Sequence, residues 1–202
     1  MGKLQGKGYL EYWRTRMAIG PNEASLNGRD ADRQGEEIWR MLSLGLEDLR
    51  PRSVLDFGCG WGRMLRKLHR LWPGAEMCGI DLCQEALDDI AQDRNWFECG
   101  KPALYQAIPD DQAPVELILC CMVIQHITDE GILQETADQI YRTLKRRGHL
   151  VLFENVASPR ADHVRDMTAD DYMQLWPRLA WREEGRLVLG VQEHVLLIGR
   201  KP

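Results

Sequence analysis

The 202-residue sequence lacks any long apolar stretch, and a membrane-spanning helix is therefore not predicted. Its longest unbroken apolar run extends only from Leu117 to Ile124, whereas roughly 20 apolar residues are needed to cross a bilayer. Lys3 and Lys7 stand near the amino terminus, but no continuous apolar segment follows them as a signal peptide would require. We therefore expect a cytoplasmic protein with no membrane partner.

Positive charge is not in excess either. Lysine and arginine number 26 and aspartate and glutamate 31, which gives a formal net charge of −5. A composition of this kind has no bulk basic field to hold nucleic acid. The short basic run from Lys145 to Arg147 is expected to end a helix, where the helix dipole favours cations. DNA is not expected as a partner.

The cysteines lack the spacing of a metal site. Six of them stand at positions 59, 78, 83, 99, 120 and 121, with no Cys-x-x-Cys pair and no histidine at zinc-ligand spacing. We expect no metal, and we interpret these cysteines as small apolar residues packed in strands or loops of a reducing compartment.

What the sequence does have is a regular change of hydrophobic period, which predicts strands alternating with helices. Strands are predicted at 53–57, 77–80, 103–107, 116–123 and 149–154, and two stretches at 179–184 and 194–199 are interpreted as a closing hairpin. Helices are predicted at about 64–72, 84–92, 129–148 and 168–175, the third beginning at Thr128 or Asp129 and ending at Arg147-Gly148. The 116–123 run is continuously apolar, so we place it in the middle of the sheet.

Residues 1–50 precede this pattern, and we separate them from a main domain at 51–202. Two helices are predicted there, one over 9–17 and one whose apolar face runs from Ile38 to Leu49. The segment is interpreted either as a lid or as an extra packing layer. The residues that a lid would bring over a ligand are Tyr9, Tyr12, Trp13, Arg14 and Arg16.

A glycine cluster follows the first strand directly, in the stretch VLDFGCGWGRM at 54–64. Gly58, Gly60 and Gly62 let backbone N–H groups and a helix N-terminus approach a ligand closely. A phosphate-binding P-loop would end in Gly-Lys-Ser or Gly-Lys-Thr, whereas Arg63 and Met64 follow Gly62 here. The dinucleotide fingerprint would need its third glycine at position 63, so a pyrophosphate is expected to fit poorly.

Two acids indicate the charge of the ligand. Asp56 stands two residues before the first glycine, where it would repel a pyrophosphate and attract a cation. S-adenosylmethionine is such a cation, because it carries an ammonium group and a sulfonium. Asp81 ends the next predicted strand, where a carboxylate can accept hydrogen bonds from both ribose hydroxyls.

With these residues and the later stretch Val123–Ile127, the sequence resembles the class I S-adenosylmethionine-dependent methyltransferases over about residues 50–156. The resemblance implies a three-layer, Rossmann-like α/β sandwich whose seven-stranded, mostly parallel sheet has an antiparallel last strand. It also implies S-adenosylmethionine as cofactor and S-adenosylhomocysteine as product. The cofactor-binding positions that it implies are Asp56, Gly58, Cys59, Gly60, Gly62, Asp81, Leu82, Gln106, Ala107, Cys121 and Met122. Many members carry an acid near the place where Gln106 stands, and the Gln106 amide oxygen can accept from the adenine amine instead.

Methyl transfer requires positioning and desolvation, and an amine or hydroxyl acceptor must also lose a proton. His126, after the central strand, is either the base for that proton or a packing residue. A small-molecule acceptor with an oxygen, nitrogen or carbon nucleophile is expected. A resemblance to protein N-terminal methyltransferases implies the alternative of a peptide amine held by Asn155, with Asp162 or Asp166 accepting its proton. A third hypothesis is a protein that binds the cofactor without catalysis, as a sensor or as a partner subunit.

Overall fold

The computed structural model describes residues 7–18, 31–93, 96, 100–157 and 163–202. The helices are α1 (Lys7–Ala18), α2 (Ala31–Leu46), α3 (Arg63–Leu71), α4 (Gln84–Gln92), α5 (Glu130–Thr143) and α6 (Ala169–Leu175). The strands are β1 (Ser53–Phe57), β2 (Glu76–Ile80), β3 (Ala103–Tyr105), β4 (Val115–Cys121), β5 (Leu144–Ala157), β6 (Ala180–Leu189) and β7 (Gln192–Arg200). A 3₁₀ turn at Ile124–His126 follows β4.

The strands form one seven-stranded sheet in the order β3-β2-β1-β4-β5-β7-β6. The first five strands pair in parallel, and β7 runs antiparallel to both β5 and β6. The predicted fold class and the closing hairpin are therefore confirmed. Within the described ranges, no helix has the length and apolarity that crossing a bilayer requires.

Both faces of the sheet are covered, and β4 shows how. Leu117 and Leu119 point into the core that includes α2, α3 and α4, whereas Ile118 and Cys120 point into the core that includes α5 and α6. All four side chains are buried because successive residues of a strand face opposite sides of the sheet. This explains the continuous apolar run in the sequence and confirms the central position of β4.

Helix α2 belongs to the packed core rather than to a separate layer over it. Its residues Ile38, Leu42 and Leu46 recur at intervals of four, so they share one helical face, and each is fully buried. They join the same apolar cluster as Leu196 and Ile198 of β7. The first 50 residues thus contribute to the core through α2, whereas Trp13 of α1 packs in a separate, smaller apolar cluster.

The two helices on the opposite face of the sheet begin at side-chain caps. Asp129 accepts a hydrogen bond from the Ile132 N–H at 3.0 Å, which selects Asp129 over Thr128 as the residue before α5. Thr168 and Asp171 form a capping box at the start of α6. These polar contacts satisfy backbone N–H groups that have no partner inside the helix.

One predicted boundary is wrong. Helix α5 ends at Thr143 and β5 begins at once, so Arg147 and Gly148 lie inside the strand rather than at the helix end. Arg147 has a φ of 61°, and a Cβ placed on Gly148 would lie 2.9 Å from the Glu116 carbonyl oxygen. The glycine therefore allows a close approach between β5 and β4, next to a shift in their register.

Candidate active site

The loop between β1 and α3 is a tight turn built on three glycines. Gly58, Gly60 and Gly62 have φ values of 74°, 52° and 73°, in the left-handed region that residues with a side chain rarely adopt. A Cβ on Gly58 would also lie 2.3 Å from a methyl carbon of Val123. The backbone N–H groups of Gly58 and Cys59 both donate to the Ile80 carbonyl oxygen, at 2.8 and 2.9 Å, which joins the turn to the end of β2.

A cavity of about 750 Å³ lies beside this turn, at the carboxyl ends of the parallel strands. This is the usual position of a ligand site in an open α/β sheet. The predicted site residues that line it are Asp56, Gly58, Cys59, Gly60, Asp81, Leu82, Gln106, Ala107, Cys121, Met122 and His126. Gly62 shapes the turn without lining the cavity, and Asn155 is not among the lining residues.

Asp56 is almost completely buried at the floor of the cavity. Its Oδ2 atom has no hydrogen-bond partner in the described part of the chain. Burial and, to a smaller extent, the neighbouring Asp81 raise the pKa of this carboxyl to about 7, against the opposing effects of a backbone hydrogen bond from Leu65 and the charge of Arg63. A buried carboxylate oxygen with unused hydrogen-bonding capacity fits a cationic ligand group, so the residues present fit the ammonium end of the predicted cofactor.

Asp81 holds the loop and the next helix together. Its Oδ2 accepts the Gly60 N–H at 2.8 Å, and its Oδ1 accepts the Cys83 N–H at 2.9 Å. Burial raises the pKa of this carboxyl, and the two backbone hydrogen bonds oppose that rise. Because each carboxylate oxygen has a second lone pair, Asp81 can still accept from ligand hydroxyls.

Gln106 and Leu82 lie next to each other at the exposed end of the cavity. The Gln106 side-chain amide donates from Nε2 to the Leu82 carbonyl oxygen at 3.2 Å. The amide oxygen of Gln106 is then left as the acceptor, which is the orientation that contact with an adenine amine would need.

Met122 has an unusual backbone conformation that the amino-acid sequence does not predict. Its φ is 61°, which is unusual for a residue with a side chain, and its N–H donates to the Phe153 carbonyl oxygen at 2.7 Å. Strained residues of this kind cluster at functional sites, where the surrounding structure enforces them. Met122 lines the cavity at the end of β4.

His126 lies in the 3₁₀ turn after β4, and both of its ring nitrogens are in hydrogen bonds. Nδ1 lies 2.9 Å from the His163 carbonyl oxygen, which can only accept, so Nδ1 carries the proton. Nε2 then accepts from the Gln125 side-chain amide at 3.0 Å. Burial lowers the pKa of His126 to about 4, so the imidazole is neutral at physiological pH.

Asn155 lies behind this turn. Its backbone N–H donates to the Gln125 amide oxygen at 2.7 Å, and its carbonyl oxygen accepts from the Tyr172 hydroxyl at 2.9 Å. The residue is 4% exposed. Of the two acids grouped with it in the sequence, Asp166 is exposed and Asp162 lies outside the described residues.

Helix α1 brings aromatic residues to the mouth of the cavity. Trp13 packs with Trp61, Cys83 and Ala86 in a small apolar cluster separate from the two main cores, which we call the mouth cluster. The Trp13 and His126 rings also pack in a T-shaped arrangement, with centroids 4.7 Å apart.

The other described residues predicted for a lid, Tyr12, Arg14 and Arg16, are not among the residues that line the cavity. Tyr12 stacks on His163 at 4.8 Å and accepts a hydrogen bond from Arg16 at 3.2 Å. Arg14 is exposed, and the Tyr9 side chain lies outside the described part. Trp61 lines the cavity but was not predicted from the sequence, although it is an aromatic residue inside the glycine cluster.

A family model described as a methyltransferase domain matches residues 30–189. The chain is 28% identical over 142 residues to the ubiquinone biosynthesis O-methyltransferase of Cupriavidus pinatubonensis, covering 66% of this chain and 53% of that protein. It is 26% identical over 142 residues to the trans-aconitate 2-methyltransferase of Mycolicibacterium gilvum, covering 69% and 52%. The chain thus spans about half the length of these curated relatives.

Among solved structures, the chain is similar to the N-methyltransferase NodS of Bradyrhizobium japonicum in complex with S-adenosylhomocysteine. The TM-score is 0.74 at 16% identity, over 96% of this chain and 98% of that one.

Proposed function

The chain belongs to the class I S-adenosylmethionine-dependent methyltransferases, and from that premise we propose that it transfers a methyl group from S-adenosylmethionine to an oxygen atom of a small-molecule acceptor. The observation that carries the proposal is the glycine turn lying at one cavity with the buried Asp56 and the partly buried Asp81. When bound, the cofactor supplies an electrophilic methyl group on a good leaving group.

The cofactor side of the cavity is assigned residue by residue. Asp56 would hold the ammonium group, because its Oδ2 is buried without a partner in the described chain. Asp81 would accept from the ribose hydroxyls while keeping its bonds to Gly60 and Cys83. Leu82, Gln106 and the neighbouring Ala107 would contact the adenine.

Cys121 and Met122 would contact the cofactor beside the transferring methyl, and the acceptor would lie between them and His126, with Trp13 at the mouth of the cavity. The only unprotonated nitrogen of His126, Nε2, already accepts from the Gln125 amide, and burial lowers the pKa of the ring to about 4. Because such a histidine is a weak base, we assign it to the wall of the site and not to proton removal. An acceptor oxygen that is already ionised near neutral pH, such as a carboxylate or an acidic phenol, needs no base. One of the relatives is an O-methyltransferase of ubiquinone biosynthesis, which supports oxygen as the acceptor atom.

The peptide-amine alternative has less support. It requires the Asn155 side chain at the cavity, whereas Asn155 is almost fully buried behind the turn after β4 and is not among the lining residues. The non-catalytic alternative agrees with the same cofactor contacts, so turnover has to be measured directly.

The first experiment is a thermal melt with S-adenosylhomocysteine, S-adenosylmethionine and NAD in parallel. A ligand at about 100 times its dissociation constant adds roughly 2.7 kcal/mol, which is worth about 5 to 10 °C for a domain of this size. We expect shifts with the two adenosyl ligands and none with NAD. Asp81→Asn should reduce the shift, and the exposed Asp111→Asn serves as the matched control.

A second assay measures S-adenosylhomocysteine release with carboxylates, phenols and amine-terminated peptides as acceptors. Turnover with an oxygen acceptor supports the proposal. Turnover with peptides alone would establish the amine reading, and ligand binding without any turnover would favour a sensor or partner subunit.

A further inference from the structure

Glu154, at the carboxyl end of β5, is fully buried but is not among the residues that line the cavity. Its Oε1 accepts the backbone N–H groups of Val123 and Ile124 at 2.9 and 3.0 Å, and its Oε2 accepts that of Gln125 at 3.2 Å. These three donors are consecutive and belong to the start of the 3₁₀ turn after β4. One carboxylate therefore satisfies the N–H groups that the turn itself leaves open.

The turn held by Glu154 forms part of the cavity wall. Val123 stands directly over Gly58, with a methyl carbon so close that no side chain fits at position 58. Met122, the residue before it, donates to the carbonyl oxygen of Phe153, the residue before Glu154. The end of β5 thus fixes both the strained residue at the cavity and the residue that closes over the glycine turn.

Gln125 connects the Glu154 carboxylate to the His126 ring through hydrogen bonds. Its amide oxygen accepts the Asn155 N–H, and its amide nitrogen donates to the His126 ring. Its backbone carbonyl oxygen accepts the Arg165 N–H at 2.8 Å. Each of these contacts depends on the backbone position that Glu154 sets, since Gln125 is one of its three donors.

We propose that Glu154 is a positioning residue: its carboxylate holds the Val123–His126 turn in the geometry that the cofactor and acceptor need, without touching either. The proposal rests on the proposed function. Burial of a carboxylate is costly, and burial raises the pKa of Glu154 to about 7, while the three backbone hydrogen bonds oppose that rise. An apolar residue would avoid this cost but would leave three buried donors unsatisfied.

The test compares Glu154→Gln with Tyr172→Phe. The glutamine keeps the shape but has one acceptor oxygen, so at least one N–H of the turn loses its acceptor. The phenylalanine removes a buried hydrogen bond to the adjacent Asn155 without touching the turn. Amide hydrogen exchange of the peptide covering 121–127 and the dissociation constant of S-adenosylhomocysteine are measured for both variants and for the unaltered protein.

We expect exchange in this peptide about tenfold faster and S-adenosylhomocysteine binding about tenfold weaker in Glu154→Gln. Tyr172→Phe should show neither change, even where its melting temperature falls equally. Unchanged exchange, or faster exchange with unchanged affinity, overturns the proposal, as does an equal effect of Tyr172→Phe. If Glu154→Gln does not fold, Glu154→Asp, which keeps the charge but shortens the reach, takes its place.

The two proposals can fail separately. If the unaltered protein binds no S-adenosylhomocysteine, the proposed function fails, and the exchange comparison alone then decides whether Glu154 holds the turn. If the unaltered protein binds it and the variants behave alike, Glu154 loses its role while the proposed function stands.

Discussion

Two effects act in opposite directions on the ionisation of the Asp56 side chain. Burial disfavours its ionised form and raises its pKa to about 7, yet a cationic ligand group would pair with that ionised form. One oxygen is buried and without a partner in the described chain, so the unliganded protein carries a cost that ligand binding can remove. In its proposed role, Asp56 favours ligand binding at the expense of the stability of the unliganded protein.

The ionisation of Asp56 should appear in ligand affinity. Affinity for S-adenosylhomocysteine, whose ammonium group is positive throughout this range, is expected to rise about tenfold between pH 6 and pH 8, because the carboxyl with a pKa of about 7 becomes charged there. In Asp56→Asn the affinity should be lower and nearly flat. Isothermal titration at several pH values makes the measurement, with Asp111→Asn as control, and an equally steep rise in Asp56→Asn contradicts the assignment.

At the scale of elements, the two helices of the first 50 residues have different roles. Helix α2 places Ile38, Leu42 and Leu46 in a main core, whereas α1 reaches only the mouth cluster, through Trp13. Helix α2 is therefore a packing element, and the lid interpretation stays a prediction for α1 alone.

This difference predicts that shortening one side chain in each helix to alanine will have different effects on stability and on ligand affinity. Leu42→Ala should cost about 2 to 5 kcal/mol of unfolding free energy and leave the affinity for S-adenosylhomocysteine near normal, because it opens a cavity in the core. Trp13→Ala should weaken binding several-fold with a smaller loss of stability, since its cluster lies at the cavity mouth. Denaturant melts and titration calorimetry separate the two, and a Trp13→Ala variant with normal affinity would remove α1 from the site.

For the whole molecule, the main electrostatic cost is the burial of carboxyl groups at the end of the sheet. Burial raises the pKa of both Asp56 and Glu154 to about 7, well above the values of the unfolded chain. Glu116 behaves oppositely, because hydrogen bonds from the Arg52 backbone and from the Arg52 and Lys145 side chains hold its pKa at about 2. Its stabilising contribution is complete once the unfolded chain is ionised, at about pH 5.

Stability of the unliganded protein is therefore expected to fall between about pH 5 and pH 7. In that window the unfolded chain has released the protons of Asp56 and Glu154, whereas the folded protein still binds them, and folding becomes less favourable as pH rises. Urea unfolding at intervals of pH measures the slope. Asp56→Asn should reduce it and should make the unliganded protein more stable than the wild type at pH 8, and an unchanged slope would argue against a buried ionisable group at this position.

The order of strands and helices, the central place of β4 and the glycine turn follow from the sequence by itself, because periodicity and glycine conformation depend on residues close together in the chain. The end of helix α5 could not be predicted from the local sequence. Gly148, which we interpreted as a helix-ending glycine, instead allows the backbone of β5 to lie close to Glu116 on the neighbouring strand. Asp56 and Asp81 were predicted as site residues because each stands at the end of its own strand, and both line the cavity. Only the tertiary structure decided the strain at Met122, the neutral state of His126 and the contacts of Glu154. The partners of Met122 and Glu154 lie about 30 residues away and are brought close by the pairing of β4 with β5, whereas His126 contacts His163, which lies 37 residues further along the chain. No local pattern in the sequence predicts such contacts.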